Sequence, residues 1–310
     1  MNKNSHIIVL MGGPSTEADI SRNTGKAITE ALTSIGYDAH PLEYRPEHVI
    51  EDIRQEKADV VFIALHGKYG EDGMIQSVLE LAGIPYTGSG VTSSAITMDK
   101  IMTARLFKAA GIRMAKSEPV YWKDGIHAVR KKIIADFRFP VVLKPACEGS
   151  TIGIEIVKDE SGLNEALTRV FSVEPRVLVE EYLDGEEFTV PVLHGKALPI
   201  IQIKPHSGSY DYHAKYTKGA TDYLVPAPVS EALASEMASL AERGYVVAEC
   251  DGVVRFDIRT DSMGVPYVLE ANSIPGMTAT SLVPKSAAAA GIAFPALCEK
   301  ILERAGLGKV

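Results

Sequence analysis

The first clear pattern along the chain is a pair of uninterrupted apolar runs, Ile7-Ile8-Val9-Leu10 and Val60-Val61-Phe62-Ile63-Ala64-Leu65. Runs without alternation suit strands buried on both faces of a parallel sheet. The first leads through Met11-Gly12-Gly13-Pro14-Ser15-Thr16-Glu17 into a helix that Gly36 ends, and the second stops at His66-Gly67. Strand, helix and strand in this order predict a βαβ unit. Ser94 to Ala110 has a helical period that Gly111 closes, which puts a boundary near residues 100–115. Pro140 to Pro145 reads as a strand leading to Glu148-Gly149-Ser150-Thr151-Ile152-Gly153. A helix from Gly162 to Phe171 follows, then strands from Arg176 to Leu183, Glu187 to Leu193 and Leu198 to Lys204. Residues 206–228 have no period, and a loop of that length in a compact domain is usually functional, often a lid. Glu231 to Ala248 is the last long helix.

Alternation then becomes clean. In Val253 to Arg259, Val254, Phe256 and Ile258 point one way and Arg255 and Asp257 the other. In Tyr267 to Asn272, Tyr267, Leu269 and Ala271 oppose Glu270 and Asn272. Asp261-Ser262-Met263-Gly264 between them suits a hairpin turn, bringing Asp257 and Glu270 roughly opposite each other. Two carboxylates and an amide converging this way are oxygen donors of the kind a hard divalent ion prefers. The competing reading is a hairpin with a solvated, charged face.

The 310 residues, 46% apolar and 23% charged with a net charge of −8, describe an ordinary globular α/β chain. No basic block stands out, which disfavours nucleic acid or an anionic membrane as partner. Cys147, Cys250 and Cys298 are too far apart for a zinc motif or disulfide framework. The apolar run at His6 to Met11 is too short for a signal peptide, and no run approaches a bilayer span, so the chain reads as cytoplasmic.

Ligands of open parallel sheets bind beyond the carboxyl ends of the strands, where Glu17 and His66 follow. A Glu in a helix's first turn also has a plainer role as a dipole partner. The Gly149 to Gly153 stretch has glycines and hydroxyls suited to covering phosphates, with Lys144 supplying a positive charge from the preceding strand. Neither a P-loop nor a Gly-x-Gly-x-x-Gly after the first strand occurs. In isolation Lys215 and Tyr216 would be exposed loop residues and Arg255 a salt-bridge partner. Cys147 has no adjoining base and reads as a structural thiol.

Lys144-Pro145 with Gly149-Ser150-Thr151-x-Gly153, Glu180-Glu181-Tyr182-Leu183, and Asp257 with Glu270-Ala271-Asn272 resemble the ATP-grasp fold. Further motifs are Gly12-Gly13-x-Ser15-x-Glu17, Leu65-His66-Gly67-x-x-Gly70-Glu71-Asp72-Gly73, Tyr86-Thr87-Gly88-Ser89-Gly90 and Met98-Asp99-Lys100. With Tyr212-x-Ala214-Lys215-Tyr216 and Pro275-Gly276-Met277-Thr278, they resemble the D-alanine–D-alanine ligase family from about residue 8 to about 285. Thr151 stands where a second serine is common, and Ser273-Ile274 replaces a commoner Thr-x; neither removes a charged or metal-binding group.

The resemblance implies an α/β molecule with an N-terminal Rossmann-like parallel-sheet domain (1–100) and two ATP-grasp subdomains (101–185 and 186–310). It implies ATP-driven ligation of two D-alanines through a D-alanyl phosphate for peptidoglycan, with two Mg²⁺ ions or alternatively Mn²⁺, in a homodimer. Asp257, Glu270 and Asn272 would hold the metals. Lys100 and Lys144 would meet the inner phosphates and Lys215 the terminal one. Glu180 and the backbone of Glu181, Tyr182 and Leu183 would read adenine, and Glu187 the ribose. Glu17 would hold the first D-alanine's ammonium with His66 nearby, linked to Ser150 and Tyr216. Arg255 and the Gly276 N–H would face the oxyanion, and Ser281 with the Leu282 backbone the second carboxylate. Ester-forming ligases that use D-lactate resemble this family closely, but tend to lack a tyrosine matching Tyr216. A catalytically silent ATP-binding protein would be expected to lose a metal ligand, and none is lost.

Overall fold

The computed structural model describes residues 3–149, 152–207, 214, 217 and 219–309. The expected site residues Ser150, Lys215 and Tyr216 therefore lie outside the described residues, as do residues 208–213 and 218 of the proposed lid. The chain begins with β1 (His6–Met11), α1 (Ala18–Ser34), β2 (Asp38–Glu43), α2 (Val49–Gln55), β3 (Val60–Ile63), α3 (Met74–Ala82) and α4 (Val91–Met98). The strands form a parallel sheet in the order β2–β1–β3. Ile7 to Leu10 and all of β3 are buried, as uninterrupted apolar runs require. The helix α1 turns Ile28, Ala31 and Leu32 to the sheet, and Gly25 permits close approach, since a Cβ there would lie 2.6 Å from that of Met11.

The second sheet is antiparallel. The chain runs through α5 (Lys100–Ala109), β4 (Ser117–Tyr121), α6 (Ile126–Asp136), β5 (Val141–Pro145), β6 (Glu155–Val157), α7 (Leu163–Val173) and β7 (Arg176–Glu181), and its four strands make this sheet in the order β4–β7–β5–β6. The single helix expected over Ser94 to Ala110 is two, α4 and α5. Asp99 leaves helical geometry, and its carboxylate accepts from the N–H groups of Ile101 and Met102, capping α5.

The third sheet contains β8 (Glu187–Leu193), β9 (Lys196–Ala197), β10 (Ile201–Pro205), β11 (Thr221–Leu224), then, after α8 (Glu231–Val247), β12 (Val253–Thr260) and β13 (Pro266–Asn272). Its order is β11–β10–β8–β12–β13, with β9 on β8. The segment read as patternless contains β11, paired with β10. The hairpin β12–β13 has Asp257 opposite Glu270, but a bulge follows before Ile258 pairs with Val268. The bulge shifts the core face of β13, so Val268 and Ala271 are buried and Leu269 is only partly so. The turn forms as expected: Asp261 accepts from the N–H groups of Met263 and Val265.

Two final helices, α9 (Leu282–Ala289) and α10 (Phe294–Glu303), return to the first sheet. Val283, Ala287, Leu297, Ile301 and Leu302 share a core with Ile7, Val9, Ile28 and Phe62. Similarly, Ile101, Ala104 and Phe107 of α5 pack with Phe188, Val190 and Phe256 of the third sheet. Among the described residues no helix is long and apolar enough to cross a membrane.

Candidate active site

Beyond the carboxyl ends of β1 and β3, two loops meet. Ser15 Oγ donates to the His66 carbonyl oxygen at 2.8 Å and accepts from the Glu17 N–H at 3.2 Å. Glu17 occupies the N-cap position of α1 without a side-chain capping bond. Its carboxylate lies between two glycines: a Cβ on Gly67 would come within 2.9 Å of Glu17 Oε2, and one on Gly149 within 2.8 Å. Gly67 and Gly149, which carry no Cβ, thus leave room for this acid.

His66 is buried, and both ring nitrogens are engaged. Nδ1 lies 3.0 Å from the Ile274 carbonyl oxygen and Nε2 3.0 Å from Thr24 Oγ1. A carbonyl can only accept, so Nδ1 carries the proton; burial holds the imidazole below its usual range, which favours neutrality. His66 therefore forms a fixed wall. Beside it, Glu71 accepts from the Gly67 N–H at 2.6 Å and from the Ile274 N–H at 3.4 Å. Burial, then the charge of Glu17, push its carboxyl up to about 8. Sequence reading placed Glu71 in a motif but gave it no role, because nothing local signals the neighbouring acid.

The hairpin forms the opposite wall. Arg255 grips Asp257 through Nε and Nη2, both at 2.8 Å. Thr189 Oγ1 donates to the same carboxylate at 2.7 Å, and Asn272 Nδ2 donates at 3.2 Å. These four donors fill the acceptor positions of a carboxylate, so a cation there competes with them, most easily with the long amide contact. An amide that donates by nitrogen keeps its oxygen for a metal. With Glu270 the donor set is all hard oxygen, which fits Mg²⁺ or Mn²⁺. Lys100, held by the Glu148 carbonyl oxygen at 2.7 Å, lies 3.6 Å from Glu270.

Other expected residues gather between the second and third sheets. Lys144 and Glu180 pair at 2.5 Å, both buried. Burial alone would lower the Lys144 pKa, but the Glu180 charge and hydrogen bond, with Glu270 and Glu187, give a net rise. Glu187 pairs with Arg259 at 3.6 Å, and Arg259 donates to the Tyr182 hydroxyl at 3.3 Å. Arg259 was missed in the sequence, where it looked like the outer end of a strand. The N–H groups of Glu181 and Tyr182 are bonded to the carbonyl oxygens of Lys116 and Pro140.

A cavity of ≈ 310 Å³ joins much of this. Glu17, His66, Lys100, Arg255, Glu270, Asn272, Gly276, Ser281 and Leu282 line it, whereas Lys144, Glu180 to Leu183, Glu187 and the buried Asp257 do not. Ser281 precedes α9, and its hydroxyl is engaged with the Thr278 N–H (3.0 Å) and hydroxyl (2.9 Å) rather than capping the helix. Ser281 and Leu282, at the N-terminus of α9, both line the cavity, and a helix N-terminus is a favourable place for a carboxylate. The arrangement offers an acid for an ammonium, a guanidinium for developing negative charge, and a helix terminus for an anion.

Comparison with known proteins adds independent findings. Residues 43–89 match the family model described as the D-ala D-ala ligase N-terminus, and residues 106–303 the model of its C-terminus. A D-alanine–D-alanine ligase of Syntrophotalea carbinolica is 45% identical over 306 residues, covering 98% of this chain and 97% of that protein. The crystal structure of the Bacillus anthracis D-alanine–D-alanine ligase complexed with ATP superposes with a TM-score of 0.83 at 35% identity, covering 97% of both chains. The VanG D-Ala:D-Ser ligase of Enterococcus faecalis gives a TM-score of 0.82 at 28% identity, covering 97% of this chain and 99% of the other.

Proposed function

The chain belongs to the D-alanine–D-alanine ligase family, and we propose that it joins two D-alanines using ATP and Mg²⁺, or Mn²⁺, for peptidoglycan precursor synthesis. The observation that carries this reading is the cavity in which Glu17, Arg255 and the N-terminus of α9 converge beside the Glu270–Asn272 hairpin. In the proposed reaction a carboxylate oxygen of the first D-alanine attacks the terminal phosphorus of ATP, and ADP leaves. The deprotonated amine of the second D-alanine then attacks the acyl carbon, phosphate leaves with the acyl C–O bonding pair, and the nitrogen's extra proton passes to the departing phosphate.

Glu17 would hold the first ammonium against the wall made by His66. Arg255, oriented by Asp257, and the Gly276 N–H would face the oxyanion. Ser281 and the Leu282 N–H would take the second carboxylate, supported by the α9 dipole. Lys100 and Lys144 would neutralise the inner phosphates, while Glu180, Glu181, Tyr182 and Leu183 would border adenine and Glu187 the ribose. Since the Glu181 and Tyr182 N–H groups are committed, Leu183 is the natural donor to the base. Asp257, Glu270 and Asn272 would hold the metal ions, which supply charge neutralisation of the transferring phosphoryl group. By analogy with the family, Lys215 would meet the terminal phosphate, and Ser150 and Tyr216 would link to Glu17.

A phosphate-release assay with ATP and Mg²⁺ tests the reading. D-alanine should stimulate release and yield dipeptide, L-alanine should not, and D-lactate or D-serine should be poor second substrates. Absence of D-alanine stimulation would overturn the assignment, and preferred use of D-serine would change the acceptor. A homodimer and a cytoplasmic location belong to the same proposal, tested by light scattering and cell fractionation.

A further inference from the structure

Outside the active site, one group of side chains has the composition and spacing of a metal site. β2 carries Asp38 and His40 two residues apart, hence on one face of an edge strand, and β1 begins with His6 in register with Asp38. The Asp38 carboxylate bridges both imidazoles: one oxygen lies 2.6 Å from His6 Nδ1, the other 2.7 Å from His40 Nε2. The rings themselves stand 5.0 Å apart, tilted by 38°. One donor atom from each of the three residues falls within a sphere where all lie within 4.8 Å of one another. Asp38 and His40 are exposed and His6 is partly so, leaving room for water to complete a coordination shell. Asp59 also approaches, but its carboxylate is engaged by the His6 backbone N–H at 2.8 Å.

We propose that His6, Asp38 and His40 form a surface site for a first-row divalent transition ion of the zinc, nickel or copper type. Two imidazoles and one carboxylate suit these ions and do not suit Mg²⁺, which prefers oxygen alone. Ligand atoms around such an ion stand about 3.3 Å apart, given metal–ligand distances of roughly 2.0–2.2 Å in near-tetrahedral geometry. The present 2.6–2.7 Å contacts therefore need to open by about 0.6–0.7 Å to reach that spacing, within reach of exposed side chains. The site lies at the amino end of β1 and the start of β2, whereas Glu17 and His66 follow the carboxyl ends of β1 and β3. A bound ion would clip the edge strand to the centre of its sheet without touching the reacting groups.

Calorimetric titration of the untagged full chain with Zn²⁺ and with Ni²⁺, in excess Mg²⁺ to occupy oxygen sites, tests this. One equivalent should bind, and His40→Ala and His6→Ala should each weaken it by at least about tenfold. Ligase activity without transition metal should stay at the wild-type level in both variants, which shows that they fold. The ion should also raise the melting temperature of wild type and not of His40→Ala. No binding by the wild type, or equal binding by the variants, would overturn the site and leave a hydrogen-bonded surface triad.

Discussion

At the scale of single residues, the site is shaped by what is missing as much as by what is charged. Gly149 needs no unusual backbone conformation, but a Cβ on it would crowd Glu17 Oε2 at 2.8 Å. The obstructed atom is the end of a flexible side chain, so Gly149→Ala should leave stability nearly unchanged while moving the acid. We expect its KM for D-alanine to rise about tenfold, about 1.4 kcal/mol of lost positioning, with the KM for ATP little altered. Equal effects on both substrates would remove Glu17 from the amino-acid side. Glu71 gives a second test. The unfolded chain titrates it near its ordinary 4.5, the folded chain near about 8. Between those values the folded state holds the extra proton, so this residue's contribution makes stability fall as pH rises. Glu71→Gln cannot titrate and should gain on the wild type in urea midpoint between pH 5 and pH 8. A pH-independent difference would show that Glu71 is ionised in the folded protein. Glu17 and His66 were legible because they follow apolar strands. The raised pKa of Glu71 was not, because it depends first on burial and then on an acid 54 residues away in sequence, at position 17.

At the scale of elements, period-two alternation carried the most information, and it failed where the backbone departed from its period. Asp257 and Glu270 are register partners as alternation implied, yet the bulge that follows turns Val268 into the core in place of Leu269. No residue type in Tyr267 to Ala271 announces that extra residue. The helical run across residue 99 hid a break for a related reason: Asp99 fits a helix in periodicity, but its short acid competes for the backbone. It caps α5 and also meets Arg176 Nη1 at 2.6 Å. Asp99→Ala should therefore cost about 1–2 kcal/mol and loosen the start of α5, where Lys100 stands. On the hairpin, Glu270→Gln keeps shape and removes one charge from the donor set. We expect a folded protein whose ligation at saturating Mg²⁺ falls by at least about a hundredfold, the scale of one transition-state electrostatic contact. Near wild-type turnover would exclude Glu270 as a metal ligand.

At the scale of the molecule, the candidate site is assembled from separate sheets, and the order of the chain did not reveal how they are joined. Nothing in the sequence of α9 and α10 says that their apolar faces cover the first sheet, because an amphipathic pattern specifies a buried face and not its partner. The joint is reinforced by a polar latch at the end of the described chain. Lys309 Nζ reaches the Gly88 carbonyl oxygen at 2.7 Å and Asp251 at 3.0 Å, while Glu80 accepts from the N–H groups of Gly308 and Lys309. Asp251 stands just ahead of β12, so this latch ties the first sheet to the strand carrying Arg255 and Asp257. Lys309→Met keeps most of the apolar stem and removes the ammonium. Arg304 still faces Asp251 at 3.2 Å, which limits the loss to about 2 kcal/mol, below that of a fully orphaned buried charge. The melting temperature should fall by several degrees. The kinetic effect should be selective: Glu17 hangs from the first sheet and Arg255 from the third, whereas Lys144, Glu180 and Glu187 belong to the second and third. Loosening the first joint should thus raise the KM for D-alanine while sparing that for ATP. A parallel rise in both constants, or an unchanged melting temperature, would show that the shared apolar core alone sets how the two walls face each other.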